Sequence, residues 1–287
     1  PSPSPSPGAS PAASPAAKPA ASPAASPAAA ASPSPVAGRT ISFEATDFTY
    51  NLPDSIPGGI VTLAMRNAGR EEHQAQLLKL NAGVTLEQFL AALGQGETQA
   101  LALVSLAGGP GALNPGPGSE EVTLDLQPGN YVVVCFIPSP DGVPHVAKGM
   151  LKPLTVTAPP AGAPGAQPTA RVTVNLKDFD FETPATLPSG RNPWRVTNSG
   201  PQPHEVQVVR LGPGGSANDV LRFFSAPPSG PPPYQAVGGF QAIDANGSGS
   251  LTLDLSAGEY AFYCAVPDPG SGRRHLELGM LKQVRVE

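Results

Sequence analysis

Apolar and polar residues alternate along several short segments of the chain, which is the pattern of half-buried β-strands. Two further segments, 131–136 and 260–266, are more continuously apolar, as is typical of strands that are covered on both faces. Turn signals rich in Pro and Gly separate these segments. The pattern predicts an all-β chain of many short strands. The alternating segments are 41–44 and 172–176, and the next predicted strands are 60–66 and 194–198.

One short helix is predicted in each half of the chain. Thr85 and Gln88 have the spacing of a capping box, in which a side chain and a backbone amide cap each other at a helix start. Ser216 and Asp219 have the same spacing. The residues expected on the apolar faces are Phe89, Leu90 and Leu93 in the first helix and Val220, Leu221, Phe223 and Phe224 in the second.

The chain contains an internal repeat with an offset of about 130 residues. Each copy has the length and strand content of a Greek-key β-sandwich. We predict two such domains, at 39–157 and 171–287, joined by a linker rich in Pro, Ala and Gly at 158–170. The matching pairs include Asp47 and Asp178, Phe48 and Phe179, Asn67 and Asn198, Gly69 and Gly200, His73 and His204, Gln76 and Gln207, Tyr131 and Tyr260, and Cys135 and Cys264.

Residues 1–38 are a Pro/Ser/Ala repeat whose one charged residue is Lys18. Such a segment cannot bury a core, and we expect a disordered, extended tether. A tether of this kind fits an extracytoplasmic protein, whether periplasmic, secreted or attached to a cell surface, and could hold it near a membrane. A flexible tail without an anchoring role is the alternative.

Residues able to bind a soft metal ion are scarce and fall into register between the two copies. The chain has 4 His, 2 Cys and 3 Met, and only Met65 lies outside the repeated set, where we expect it in the core. The candidate metal ligands are His73, Cys135, His145 and Met150 in the first copy and His204, Cys264, His275 and Met280 in the second.

These ligand types indicate copper. Two imidazoles, a thiolate and a weak thioether suit both Cu(I) and Cu(II), so we expect two copper ions per chain. Zinc also binds Cys-His-His sites, although the paired methionines favour copper. A disulfide between Cys135 and Cys264 would have to join two separate domain cores, which the reach of a disulfide makes unfavourable.

The spacing of the ligands resembles that of the cupredoxins, the type 1 blue-copper family. The first copy reads Cys-x9-His-x4-Met from Cys135 and the second Cys-x10-His-x4-Met from Cys264. Each is preceded by Asn-x-Gly-x-x-x-His and Tyr-x-x-x-Cys segments. The resemblance covers both copies and implies two tandem cupredoxin-like domains with one type 1 site each. It also implies that His145 and His275 lie near the surface, where redox partner proteins would dock transiently.

The number of histidines argues against catalysis. Oxidases and nitrite reductases with two such domains need further histidines for a second class of copper site, and two type 1 sites use all 4 His of this chain. We therefore expect an electron-transfer protein and not an enzyme. Copper storage or delivery is the alternative, and a structural β-sandwich stabilised by metal is a third hypothesis. The net charge of −5 argues against a nucleic-acid partner.

The surroundings of the two downstream histidines differ. Val143 and Pro144 make the neighbourhood of His145 apolar, whereas Arg273 and Arg274 precede His275. Positive charge near copper disfavours Cu(II), so we expect the second site to have the higher reduction potential. Two solvated arginines without such an effect are the alternative.

Overall fold

The computed structural model of the chain describes residues 39–162, 165–226 and 230–287, all of which belong to one compact unit that spans Pro35–Glu287. The predicted tether at 1–38 lies outside the described residues. Within the described part, no helix has the length and apolarity needed to cross a membrane. Strands dominate the described residues, and the predicted all-β fold class is confirmed.

From residue 39 onward, the first half contains strands β1 to β9, two α-helices and one turn of 3₁₀-helix at His145–Lys148. Their bounds are β1 Arg39–Thr46, β2 Thr49–Asn51, β3 Ser55–Pro57, β4 Gly59–Asn67, β5 Gln76–Leu80, α1 Leu86–Leu93, α2 Glu97–Leu101, β6 Val104–Leu106, β7 Ser119–Leu126, β8 Gly129–Val134 and β9 Leu151–Thr157.

The second half repeats most of this order and has, among its described residues, a single α-helix and a 3₁₀-helix at His275–Leu278. Its elements are β10 Val172–Lys177, β11 Asp180–Glu182, β12 Thr186–Leu187, β13 Gly190–Asn198, β14 His204–Leu211, α3 Ala217–Ser225, β15 Tyr234–Ile243, β16 Ser248–Leu255, β17 Gly258–Tyr263 and β18 Leu281–Val286.

Each half is a two-layer sandwich. In one layer of the first half, β1 runs parallel to β4, and β7 pairs antiparallel with β4. The other layer contains β3, β9, β8, β5 and β6 in that order. The side chains of β4 alternate between the core and the outer face, so that Val61, Leu63 and Met65 are buried, as predicted for Met65. The second half has the corresponding parallel pair, β10 and β13.

One layer continues from one half into the other. β7 pairs antiparallel with β16, with Val122 opposite Leu251. The two halves thereby share a single sheet, whose order over the described residues is β11-β10-β13-β16-β7-β4-β1-β2. The predicted boundaries at 157/158 and 170/171 are not tested by this arrangement and stay predictions.

The second layer is also connected, through a segment that we call the bridging segment, residues 107–113. On one side it binds the chain near β5, where the Ala75 amide donates to the Pro110 carbonyl at 3.0 Å. On the other side it binds β15, where the Gly111 amide donates to the Gly239 carbonyl at 3.1 Å. A Cβ on Gly111 would lie 2.4 Å from the Gly239 nitrogen, so only glycine permits this approach.

Both predicted helix starts are confirmed, because capping boxes are present at Thr85 and at Ser216. Two details of the prediction are wrong. Leu90 is 43% exposed, since it lies on the outer face of α1 while Phe89 is fully buried. The first half also has a second short helix, α2, which carries no side-chain cap that would have marked it.

The two continuously apolar segments also end as strands earlier than predicted. β8 stops at Val134 and β17 at Tyr263, because the next residue in each, Cys135 or Cys264, bonds to the loop that follows instead of to a neighbouring strand.

Candidate metal centres

The loop after β8 folds back on Cys135 through backbone hydrogen bonds. The Val146 amide donates to the Cys135 carbonyl at 2.8 Å, and the Cys135 amide donates to the Met150 carbonyl at 3.2 Å. The Met150 amide donates to the His145 carbonyl at 2.9 Å. Gly149 closes this turn with φ of 102°, a left-handed conformation that favours glycine. The loop thus brings a thiol, an imidazole and a thioether-bearing residue close together in space.

The loop after β17 has the same bonds. The Leu276 amide donates to the Cys264 carbonyl at 2.8 Å, and the Met280 amide donates to the His275 carbonyl at 2.9 Å. Gly279 has φ of 115° in the position of Gly149. The extra residue between Cys264 and His275 is therefore accommodated without changing the closure of the loop.

In the first half, the structure brings His73, Cys135 and His145 together. One donor atom from each lies within 4.8 Å of the others, and all three residues are fully buried. The two histidine Nδ1 atoms are 3.1 Å apart, and the Cys135 Sγ lies 3.4 Å from the His145 Nδ1. Three candidate ligands predicted from sequence thus converge on one point.

The second half repeats the arrangement with His204, Cys264 and His275. The Nδ1 atoms of the two histidines are 3.0 Å apart, and the Cys264 Sγ lies 3.4 Å from the His275 Nδ1. All three side chains are buried. Both cysteines are free thiols, so the alternative of a disulfide between them does not hold.

Met150 and Met280 are fully buried and adjoin these clusters along the chain. Each belongs to the same apolar core cluster as the cysteine of its own half. Each also donates its backbone amide to the carbonyl of the downstream histidine in its loop. This places the fourth candidate ligand of each set at the closure of the loop.

An aspartate holds the upstream histidine of each cluster. The Asp47 Oδ1 lies 2.9 Å from the His73 Nε2, and the Asp178 Oδ1 lies 2.7 Å from the His204 Nε2. A carboxylate accepts the Nε2–H proton, which leaves the Nδ1 lone pair directed into the cluster. Burial acts to raise the pKa of Asp47, but hydrogen bonds from Arg70, His73 and Glu71 lower this pKa well below its ordinary value.

The residue after each aspartate packs on the other histidine. The ring of Phe48 contacts the imidazole of His145 edge-on, with 4.9 Å between the ring centres. Phe179 contacts His275 in the same way at 5.2 Å. A single Asp-Phe pair therefore orients one imidazole by a hydrogen bond and the other by packing.

The Asn-x-Gly segments shape the approach to the upstream histidines. Asn67 accepts from the Gly69 amide at 2.9 Å and donates to the Glu71 carbonyl at 2.8 Å, which closes the loop. A Cβ on Gly69 would lie 2.5 Å from the Asp47 Oδ1 and 2.6 Å from the His73 Nε2. The glycine leaves room for the Asp–His hydrogen bond, and Gly200 has the same relation to its own aspartate and histidine.

The downstream histidines are capped differently in the two halves. The His145 Nε2 lies 2.9 Å from the Glu71 Oε2, whereas the His275 Nε2 lies 3.2 Å from the Gln202 Oε1. Both imidazoles are 0% exposed, and the capping side chains, not the rings, reach towards solvent. The expectation of histidines near the surface therefore needs a refinement, because each ring lies one side chain below it.

The arrangement of lone pairs fits a bound cation. In both halves the Nε2 atoms face acceptors, so the two Nδ1 lone pairs of a cluster point at each other across about 3 Å. Two lone pairs at that distance repel unless a proton or a metal ion lies between them. The adjacent thiol supplies a third, soft donor, and together these atoms form a trigonal set suited to copper or zinc.

Burial disfavours the charged forms of both thiols and of the histidines His73 and His275. Desolvation raises the pKa of the Cys135 thiol to about 12, and it raises the pKa of Cys264 well above its ordinary value. Burial and the charge of His204 lower the pKa of His275 to about 4. The pKa of His73 is lowered by burial, partly offset by Asp47. Neutral imidazoles are ready to coordinate, and a metal ion would displace the thiol proton.

The two cysteines also differ in one neighbour. The amide of Glu205 donates to the Cys264 Sγ at 3.5 Å, and its carboxylate accepts from the Ala265 amide at 2.8 Å. Burial raises the pKa of Glu205 to about 7. Gln74 is the corresponding residue of the first half, so no carboxylate occupies that position beside Cys135.

Arg273 and Arg274 take part in local contacts. The Arg273 guanidinium donates to the Glu277 carbonyl at 2.6 Å. That of Arg274 lies over the Phe224 ring, 5.2 Å from its centre, and donates to the Phe224 carbonyl at 3.3 Å. The higher potential expected for the second site on account of these arginines stays a prediction.

Sequence reasoning missed the residues around the donors, although the repeat pointed to some of them. Asp47 and Phe48 recur as Asp178 and Phe179, and this recurrence of an Asp-Phe pair was the available signal. The capping residue Glu71 could not be found in this way, because its counterpart is Gln202 and the repeat shows no match there.

Structural comparisons find auracyanins and a multicopper oxidase among the similar solved structures. No family model matches the sequence, and no curated protein matches it. Among solved structures, dithionite-reduced auracyanin from Roseiflexus castenholzii is 25% identical over 42% of this chain and 98% of its own, with a TM-score of 0.28. Auracyanin A from Chloroflexus aurantiacus, described as a blue copper protein, is 21% identical over 40% and 98%, with a TM-score of 0.29.

A longer match is a multicopper oxidase, 15% identical over 87% of this chain and 89% of its own, with a TM-score of 0.26. Each auracyanin thus matches a stretch about as long as one half of this chain, and the oxidase matches most of this chain. In its layered sheets and in the order of its buried His, Cys, His and Met residues, each half of this chain is a cupredoxin-like β-sandwich.

Proposed function

We propose that the chain is an electron-transfer protein with one type 1 copper site in each half. The observation that carries the proposal is the convergence of two imidazole Nδ1 atoms and one thiol in each half, with Nδ1 separations of 3.1 Å and 3.0 Å. The proposed ligands are His73, Cys135, His145 and Met150 for the first ion and His204, Cys264, His275 and Met280 for the second.

The donor set supports copper over zinc. Thiolate and thioether are soft ligands that favour Cu(I), imidazole tolerates Cu(II), and a buried methionine follows each downstream histidine. When bound, copper would supply a one-electron couple at each site. The chain would hold the ligands in one arrangement for both oxidation states, because the Asp–His hydrogen bonds and the packed phenylalanines resist movement of the rings.

The distribution of histidines supports electron transfer over catalysis. All 4 His of the chain belong to the two clusters, which leaves none for a further copper site of the kind that reduces oxygen or nitrite. We therefore propose that the protein is not an enzyme. It would act in an extracytoplasmic compartment, and redox partner proteins would dock beside Glu71 and Gln202, where each downstream histidine comes nearest to the surface.

A chelator challenge combined with redox cycling tests the proposal. Copper-loaded protein is taken through repeated reduction by ascorbate and oxidation by ferricyanide in the presence of a strong copper chelator. Electron transfer predicts that both ions stay bound and cycle reversibly. If the copper passes readily to the chelator or to an acceptor protein, the alternative of copper storage or delivery replaces the proposal.

A further inference from the structure

We propose that two buried glutamines, Gln76 and Gln207, connect the two candidate metal centres across the junction of the halves, so that the centres exchange electrons within one chain. The proposal rests on the proposed function, since it requires a redox-active ion in each half. The glutamines are repeat partners, and both are 2% exposed.

The first connection starts at His73. The His73 amide donates to the Leu113 carbonyl at 3.2 Å, and the Leu113 amide donates back to the His73 carbonyl at 2.9 Å. The next residue in the bridging segment, Ala112, donates its amide to the Gln207 Oε1 at 2.8 Å. Gln207 lies three residues after His204 in β14. Two hydrogen-bonded steps therefore join a candidate ligand of one centre to the strand that carries a candidate ligand of the other.

A branch of this connection reaches the second thiol. The Gln207 Nε2 donates to the Glu205 Oε2 at 2.9 Å, and the Glu205 amide donates to the Cys264 Sγ at 3.5 Å. All of these residues are buried. The thiolate is the donor that shares charge most strongly with copper, so the branch ends where coupling to the metal ion would be greatest.

The second connection is the counterpart of the first. The Gln76 Nε2 donates to the Ala242 carbonyl at 3.1 Å, across the junction. The next residue, Ile243, is paired with His204 at the end of the β14–β15 ladder. Gln76 lies three residues after His73. Each glutamine thus lies three residues after its own histidine and contacts the residue beside the one that pairs with the other histidine.

The chemistry of the junction supports a role beyond adhesion. Apolar side chains alone can hold two domains together, and buried amides lose stability unless their hydrogen bonds are made. Here both amides bond to backbone groups of the other half, in a region closed to water. Electronic coupling falls less steeply through covalent and hydrogen bonds than through space, which gives these two bonds a function that packing would not supply.

The exchange is balanced in electrons. One centre is oxidised by one electron and the other is reduced by one, and no proton or third reactant is needed. The electron enters from a reduced partner protein and leaves to an oxidised one. A partner could then dock at one half of the chain while the electron leaves from the other.

The test uses the full copper-loaded chain at half reduction. Internal exchange is measured as the part of the broadening of the ligand-histidine proton NMR signals that does not depend on protein concentration. Gln76→Met and Gln207→Met should each slow the exchange, and the double variant should slow it further. The side chain of the Gln207→Asn variant is too short to reach the Ala112 amide. This polar variant should slow internal electron exchange as much as Gln207→Met does, which would show that the slowing does not come from a folding defect of the Met variant.

Asn114→Ala is the matched control, because the Asn114 Oδ1 accepts from the Ala236 amide across the same junction at 2.8 Å but lies outside both connections. The rate of internal electron exchange in this variant should equal that of the unchanged protein. In metal-free protein, hydrogen exchange of the Ala112 amide should accelerate in the Gln207 variants and not in the control.

Two different failures can be told apart. If both coppers bind and cycle but internal exchange is absent, or is equal in the glutamine variants and the control, the inference is overturned and the proposed function stands. If the chain does not hold two redox-active coppers, the proposed function fails and the inference fails with it.

Discussion

The Oδ1 of Asp47 and the Nε2 of His73 are 2.9 Å apart, and this hydrogen bond determines which nitrogen of the histidine faces the candidate metal centre. With Nε2–H donated to the aspartate, Nδ1 is the free donor, and it lies 3.1 Å from its counterpart on His145. Asp178 and His204 have the same relation in the second half.

Removing the charge of one aspartate should weaken metal binding in that half alone. Asp47→Asn lowers the basicity of His73 and loosens its orientation, so the copper affinity of the first site should fall by about 10- to 100-fold. Competition with a chelator of known affinity measures the change. Asp178→Asn is the matched variant for the second site. Equal weakening of both sites by either variant would argue that the aspartates stabilise the fold and not the ligand.

Exchanging the caps of the downstream histidines should shift the two reduction potentials in opposite directions. Glu71→Gln removes a negative charge from the His145 Nε2, so Cu(II) is less stabilised and the potential of the first site should rise. Gln202→Glu should lower the potential of the second site by the same mechanism. Spectroelectrochemical titration resolves the two. Unchanged potentials in both variants would show that the caps have only a packing role.

Adding one methyl group beside the Asp–His pair should destabilise the protein. In Gly69→Ala the new Cβ would lie 2.5 Å from the Asp47 Oδ1, so the pair must separate or the loop must shift. Overpacking of this kind typically costs about 1–3 kcal/mol in unfolding free energy. Gly116→Ala is the control, since nothing lies within 4 Å of its Cβ. Chemical denaturation measures both, and equal stability of the two variants would contradict the clash.

Glu120 should make stability fall as the pH rises. Its side chain is 1% exposed, its Oε1 accepts from the Gly239 amide and its Oε2 has no partner. Burial raises the pKa of Glu120 well above its ordinary value of 4.5. The folded chain then holds a proton that the unfolded chain releases above pH 4.5, so unfolding becomes easier from there up to the folded-state pKa.

Glu120→Gln removes this dependence. The variant should be more stable than the unchanged protein at neutral pH, and the difference should vanish below pH 4.5, where the carboxyl is protonated in both states. Denaturation curves of the metal-free proteins at several pH values measure it. Glu121→Gln, which alters a surface ion pair with Arg191, is the control. A difference that did not vary with pH would exclude the buried carboxylate as its source.

The sequence was sufficient to predict the fold class and which donors come together. Strand alternation predicts the sandwich, and the register of His73, Cys135 and His145 with their repeat partners predicts the two clusters that the structure contains. Capping chemistry predicts the starts of α1 and α3. These features depend on local spacing or on repetition, which a single sequence displays directly.

The junction of the halves could not be predicted in the same way. The bridging segment is Ala107-Gly108-Gly109-Pro110-Gly111-Ala112-Leu113, a composition that indicates a loop, yet its backbone is hydrogen-bonded on both sides. Its glycines are required because neighbouring backbone comes too close for a side chain, as at Gly111. The pairing of β7 with β16 likewise depends on contacts between residues about 130 positions apart, which no local pattern reveals.

The most direct test of the central claim is a copper count combined with visible and electron paramagnetic resonance spectra of the full chain and of its Cys135→Ser and Cys264→Ser variants. The account predicts two blue coppers in the unchanged protein and one in each variant, because each thiol belongs to a separate cluster. Colourless protein after reconstitution with cupric salt, or loss of both blue signals in either single variant, would contradict it.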